Sequence, residues 1–235
     1  MYEYIGINSN YIVYFFEFIA VVSAILCYKK FKNTHAKYFI WFLIYVFFME
    51  VIGFSLAVYR NHELLSFFKS INLKPSLWWY IIFWCIASIL FFLFYYHKIL
   101  RSNTKKKIIS VIIMLFLITS ITYLQVNKAT INRAFLPFIQ LNGAFSILVC
   151  VTFYFVELLT SDTILSYYKS LDFYITIAIF FWWLIITPLT FYDIYNTVQD
   201  WSYVYLKRYV FLFANVIMYT TFSIGLFVSK PKFTL

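Results

Sequence analysis

Charged side chains are few in this chain. They make up 12% of its 235 residues, and the mean hydropathy is +0.82. A soluble domain carries about 25% charged residues, so an ordinary soluble fold is excluded. Glycine and proline number four each, which excludes collagen-like, linker-like and disordered chains. The three cysteines, Cys27, Cys85 and Cys150, all lie in apolar runs. Neither a disulfide framework nor a cysteine-rich metal module fits them. The three histidines fall in connectors (His35, His62) or at a helix end (His97), leaving no pair for haem or zinc. No cofactor and no metal is expected.

What the chain does have is long apolar runs. A spanning helix needs about 20 mostly apolar residues, and lipid forces the backbone to satisfy its own hydrogen bonds. Seven segments qualify: Tyr11–Tyr28, Tyr38–Tyr59, Leu77–Tyr96, Ile108–Val126, Phe135–Leu159, Leu171–Tyr192 and Tyr209–Val228. Strands of a membrane barrel alternate apolar and polar residues, whereas Ile108–Thr119 is apolar on both parities. The expected fold is all-α: one domain over residues 1–235, a polytopic bundle of seven transmembrane helices.

Lysine and arginine in short loops set orientation. Connectors one, three and five and the tail hold twelve of the nineteen. That places the N-terminus outside and the C-terminus in the cytoplasm of a multi-pass protein of the cell membrane. The clusters Lys29–Lys37 and Lys98–Lys107 contain no acid. The net charge of +10 therefore reads as a topology signal. Nucleic-acid binding would need a basic face on a folded aqueous module, and no connector is long enough to fold alone. The lipid bilayer is the first partner, and both clusters suit anionic headgroups. The N-terminus carries Glu3 rather than a basic region, so no signal peptide is expected and the first helix stays. With no hydrophilic domain in view, soluble output is expected to come from another chain.

An AT-rich genome explains much of the Phe, Tyr, Ile, Asn and Lys bias without selection. Part of the aromatic content is interface belt, including Tyr59, Trp78, Trp79, Tyr80 and Trp201 near span ends. Polar and small residues three and four apart mark helix–helix contact. The first span has Asn10, Tyr14, Glu17, Ala20 and Ala24. The fourth has Thr119, Thr122 and Tyr123, and the fifth has Gly143, Ser146, Cys150, Tyr154 and Glu157. Most of this is packing.

Glu17 and Glu50 stand apart as the two acids well inside spans. A carboxylate at the bilayer centre costs about 2.5–3.5 kcal/mol or more. Glu17 should lie roughly 10 Å below the outer end of its helix and Glu50 roughly 14 Å below its own, at 1.5 Å per residue. A short connector makes the two helices antiparallel neighbours. No Lys or Arg sits at that depth; Arg60 and Arg133 reach it only by folding inward. Two close carboxyls without a cation do not both ionise cheaply, so at least one is expected to keep its proton. Asn215 enters the same level from the seventh helix. The candidate ligand- or ion-binding set is Glu17, Glu50, Asn215, Tyr14 and Trp183. Pro188 is expected to kink the sixth helix and, with Trp182 and Trp183, to shape an outward pocket. Two alternatives stay open: a proton- or cation-sensitive cavity, or two protonated acids holding helices together. The cytoplasmic contact set is Lys29, Lys30, Lys32, Lys105, Lys106, Lys107 and Glu157.

Familiar seven-helix chemistries are missing. No Lys lies mid-span in the last helix for a retinal, and no HExxH, phosphate-binding glycine loop, intramembrane Ser/His pair or Pro-Gln pair occurs. No catalytic constellation is expected. The stretches VTFYFVELL (Val151–Leu159), Phe173–Trp183, and Asn215–Lys230 with its Met218-Tyr219 and Phe227-Val228-Ser229-Lys230 resemble small seven-helix bacterial membrane proteins of unknown function. Some of those are similar to membrane regions found with sensor kinases. The resemblance implies a signalling setting with a cytoplasmic signalling partner, and transfers no catalytic residue. The alternative is a small transporter or channel subunit using the intramembrane carboxyls.

Overall fold

The computed structural model describes residues 2–58, 78–127, 137–195 and 201–231. All regular structure in these residues is helical. We number the helices α1 (Tyr2–Phe31), α2 (Ala36–Val58), α3 (Ala87–Ile99), α4 (Asn103–Val126), α5 (Pro137–Leu159), α6 (Leu171–Tyr195) and α7 (Trp201–Val228). A π-helical turn, Tyr80–Ile86, runs directly into α3, and a 3₁₀ segment, Asp162–Lys169, joins α5 to α6. Among the described residues, seven helices are long and apolar enough to cross a membrane. They overlap all seven expected runs, and α1 and α7 begin earlier than the apolar pattern alone indicated.

Six of the helices close a ring in the order α1, α2, α3, α5, α6, α7 and back to α1. α4 packs outside it, against α3 and α5, and is the least buried span. The reason lies in its sequence. Its inward face is narrow (Ile109, Phe116 and Ser120 are buried), while Val111, Met114, Leu115, Ile118 and Ile121 are exposed. The expected stripe on this helix is displaced: Thr122 is exposed and Thr119 half-buried. Thr119 still serves contact, because Asn142 Nδ2 donates to its hydroxyl at 2.8 Å and ties α4 to α5. The other stripes fare better. Glu17, Ala20 and Ala24 of α1 and Gly143, Ser146, Cys150 and Tyr154 of α5 are buried, whereas Asn10 is exposed.

The bundle is apolar on its outside as well. Leu26, Phe145 and Phe213 are each about 70% exposed. A soluble monomer rarely shows such continuous apolar surface. Hydroxyls on the helices turn back to their own backbone, as when Thr187 donates to the Trp183 carbonyl at 2.6 Å and Ser223 to that of Tyr219 at 2.9 Å. This satisfies them without water. α6 continues helically through Pro188, whose side is exposed. Trp182 and Trp183, expected with the proline to shape an outward pocket, are buried within the ring and line a cavity there.

Small residues set the helix spacing. A Cβ on Gly225 of α7 would sit 2.6 Å from Tyr174 Cβ and 2.9 Å from its Cγ. A Cβ on Gly53 would meet nothing nearer than Trp79 Cδ1 at 3.4 Å, an ordinary contact. Gly225→Ala should therefore destabilise the bundle by about 1–3 kcal/mol. Gly53→Ala should change it by no more than about 0.5 kcal/mol. Thermal unfolding of the purified variants in detergent measures both.

Candidate functional site

Glu17 and Glu50 meet because α1 and α2 run antiparallel from a tight connector. Thr34 N donates to Phe31 O at 2.9 Å and Lys37 N to Thr34 O at 3.2 Å, which closes the turn. Counting from Phe31 back to Glu17 and from Ala36 on to Glu50 gives fourteen residues each way. Both acids therefore lie roughly 21 Å along the axis from that end of the bundle. The two carboxyls are within electrostatic reach of each other. Glu17 is 1% exposed, and neither of its oxygens has a hydrogen-bond partner among the described residues. Glu50 is half-buried.

Three phenols surround the pair. Tyr14, one turn before Glu17, lies within electrostatic reach of both acids. Tyr80 lies within reach of Glu50 and Tyr14, and Tyr219 of α7 within reach of Glu17, Glu50 and Tyr80. Tyr14 belonged to the expected set. Tyr80 read as interface belt and Tyr219 was not among the candidate set, so the pattern missed them. The signal available for Tyr219 was its position one turn beyond Asn215. Tyr80 had none, because a π-helical turn changes the angular register of a helix. That turn is clamped to α2: Tyr45 Oη donates to Phe83 O at 2.6 Å and Trp79 Nε1 to Met49 O at 3.2 Å.

Asn215 does not turn its amide to the acids. Its Oδ1 accepts from Trp182 Nε1 at 3.0 Å, and its Nδ2 donates to Phe211 O at 2.9 Å. Trp183 packs edge-on against Trp182, centroids 4.9 Å apart. It lines a central cavity of about 50 Å³ with Trp84, Cys85, Gln140, Met218 and Tyr219. Tyr219 belongs to both places, so the carboxyl cluster and the cavity adjoin. Below the cavity, Phe39 packs on Phe222 (4.9 Å) and on Tyr95 (6.3 Å) as an aromatic floor. Arg60 and Arg133 lie outside the described residues.

Beyond the floor the bundle turns polar. Tyr95 Oη donates to Asp172 Oδ1 at 2.6 Å. Glu157 is engaged within the protein: its carboxylate accepts from Arg101 N (2.8 Å) and Ser102 N (3.1 Å) and pairs with Lys105 Nζ at 3.5 Å. Lys30 Nζ donates to the last carbonyls of α7, Leu226 at 3.1 Å and Phe227 at 3.0 Å. Of the expected contact set, Lys29, Lys32 and Lys107 are exposed and Lys106 is half-buried.

No protein-family model, curated protein or solved structure matches the chain. Its chemistry rests on this geometry. The arrangement offers paired carboxyl oxygens and phenols to a proton or a small cation. No group of three or more His, Cys, Asp and Glu that could hold a metal ion occurs among the described residues.

Two substitutions separate the acids by role. Glu17→Leu should raise thermal stability in detergent by about 1–3 kcal/mol, since it removes a buried polar group that lacks a partner. Glu157→Ala should lower it by about 1–2 kcal/mol, because two backbone N–H groups lose their acceptor.

Proposed function

We propose that the chain is a multi-pass protein of the cell membrane, N-terminus outside and C-terminus in the cytoplasm. In this reading it senses protons or a small cation at the Glu17–Glu50 pair, and a cytoplasmic partner reads its state. The observation that carries the reading is the buried Glu17 carboxyl with no protein partner, facing a second acid. Such a group takes a proton or a cation in preference to bare charge. Either change alters the repulsion between α1 and α2.

A route from that site to the other end also supports the reading. α1 and α7 share the most extensive helix–helix interface. They carry Glu17 and Tyr219 at one level, and the Lys30 bonds to the α7 carbonyls at the other. A change in how α1 meets α7 at the acids therefore reaches the basic end along this shared interface. The aromatic floor argues for sensing over conduction, since it separates the acids from the basic end.

A second reading, a small transporter, draws on the polar groups that continue on both sides of that floor: Tyr219 and Gln140 above, Asp172 and Tyr154 below. Proteoliposomes decide between the two. With a spin label on Lys29→Cys and another on Val228→Cys, a pH step should change the label separation. Glu17→Gln with Glu50→Gln should abolish the change, with no proton flux in either form. Flux that disappears in the double variant selects transport; neither response overturns the site. The orientation is tested separately: Lys32→Cys should react with an impermeant maleimide only after the cells are opened.

A further inference from the structure

A second cavity, larger than the central one, lies at the basic end. It has a volume of about 430 Å³ and draws its walls from the α1–α2 turn, the α3–α4 connector, the α5–α6 segment and the residues after α7. Ligand pockets typically fall between about 300 and 1,000 Å³. Five cationic or basic side chains line it: His35, Lys98, Arg101, Lys106 and Lys230.

None of the five is in an ion pair among the described residues. Lys98 lies over the Phe94 ring at 5.4 Å. The two acids in the wall are committed elsewhere. Glu157 accepts two backbone N–H groups and pairs with Lys105, which is not among the lining residues. Asp172 accepts from Tyr95. The cavity thus holds four permanent cations against two carboxylates, one paired with Lys105 and the other hydrogen-bonded to a phenol, so cationic charge is in excess. One acceptor-rich, multiply charged group would satisfy them. The planar fork of Arg101 matches phosphate oxygens in two-point fashion, and lysines add point charge.

The lining is built and not merely collected. Lys230 N donates to Lys169 O at 2.7 Å, which holds the chain after α7 against the α5–α6 segment. Ser229 beneath it is fully buried. The Leu100 amide closes on Tyr96 O at 3.1 Å, and the two Glu157 bonds fix the backbone at Arg101 and Ser102. The basic residues therefore stand on anchored backbone from three separate stretches: the α1–α2 turn, residues 98–106 and the chain after α7.

We infer that this vestibule is a binding site for a phosphate group, carried by an anionic phospholipid headgroup or by a soluble phosphorylated molecule. The inference does not depend on the carboxyl pair. The test uses the full chain in phosphatidylcholine nanodiscs. One arm titrates inorganic pyrophosphate by calorimetry. The other replaces part of the lipid with phosphatidylglycerol and counts retained lipid by native mass spectrometry. Each arm compares the chain with Arg101→Gln/Lys230→Gln, and with Lys29→Gln/Lys32→Gln, which removes the same charge from positions of the same end that do not line the cavity. Saturable pyrophosphate binding, weakened about tenfold or more only in the first pair, assigns a soluble phosphate. Selective phosphatidylglycerol retention, lost only in the first pair, assigns a headgroup. Binding in neither arm, or equal loss in both pairs, overturns the site. Both double variants should keep the melting behaviour of the parent chain. If the first pair alone unfolds, Arg101→Lys and Lys230→Arg, which keep the charge, must retain binding for the inference to stand.

Discussion

A carboxyl group held inside a helix bundle without a hydrogen-bond donor beside it is costly, and the protein around it has to supply an answer. At Glu17 the described residues supply none. They supply a second acid, Glu50, and three phenols from α1, the π-helical turn and α7. A fold under selection for stability alone would place leucine there. Keeping two acids at equal depth on neighbouring helices preserves a place whose energy depends strongly on what occupies it.

The ring architecture decides how α1 is held. Six helices close on themselves, so a displacement of α1 is met on both sides, by α2 and by α7. Packed cores do not deform continuously; they move as units or hold still. The π-helical turn before α3 adds a local irregularity next to the acids, where extra residues are often used to aim a side chain. Phe39, Phe222 and Tyr95 pack together between the level of the acids and the basic end. A pair of acids and a basic cavity thus lie at different levels of one bundle.

Much of the architecture was legible in the chain. The seven apolar runs became seven helices because lipid-length hydrophobic segments have one economical way to pair their backbone groups. The acids stood out because charge inside such a segment is rare. The stripes on α1 and α5 predicted buried faces through their spacing. Three particulars failed for identifiable reasons. α4 lies outside the ring, so its polar residues face a smaller contact than the pattern implied. Asn215 turned its amide to Trp182 and its own helix, which no spacing rule can foresee. Tyr80 was displaced from the interface reading by a turn with a different periodicity.

From the sequence alone came the helical class, the number of spans and the pairing of Glu17 with Glu50, because hydrophobic length and a short connector constrain these locally. Only the tertiary structure brought Tyr80 and Tyr219 to the acids, closed six helices into a ring, and gathered His35, Lys98, Arg101, Lys106 and Lys230 around one cavity. Those residues come from three stretches distant in the chain, and each explains itself locally as loop charge. Their meeting is a property of how the helices pack, and packing is decided by contacts between segments that the linear order does not record.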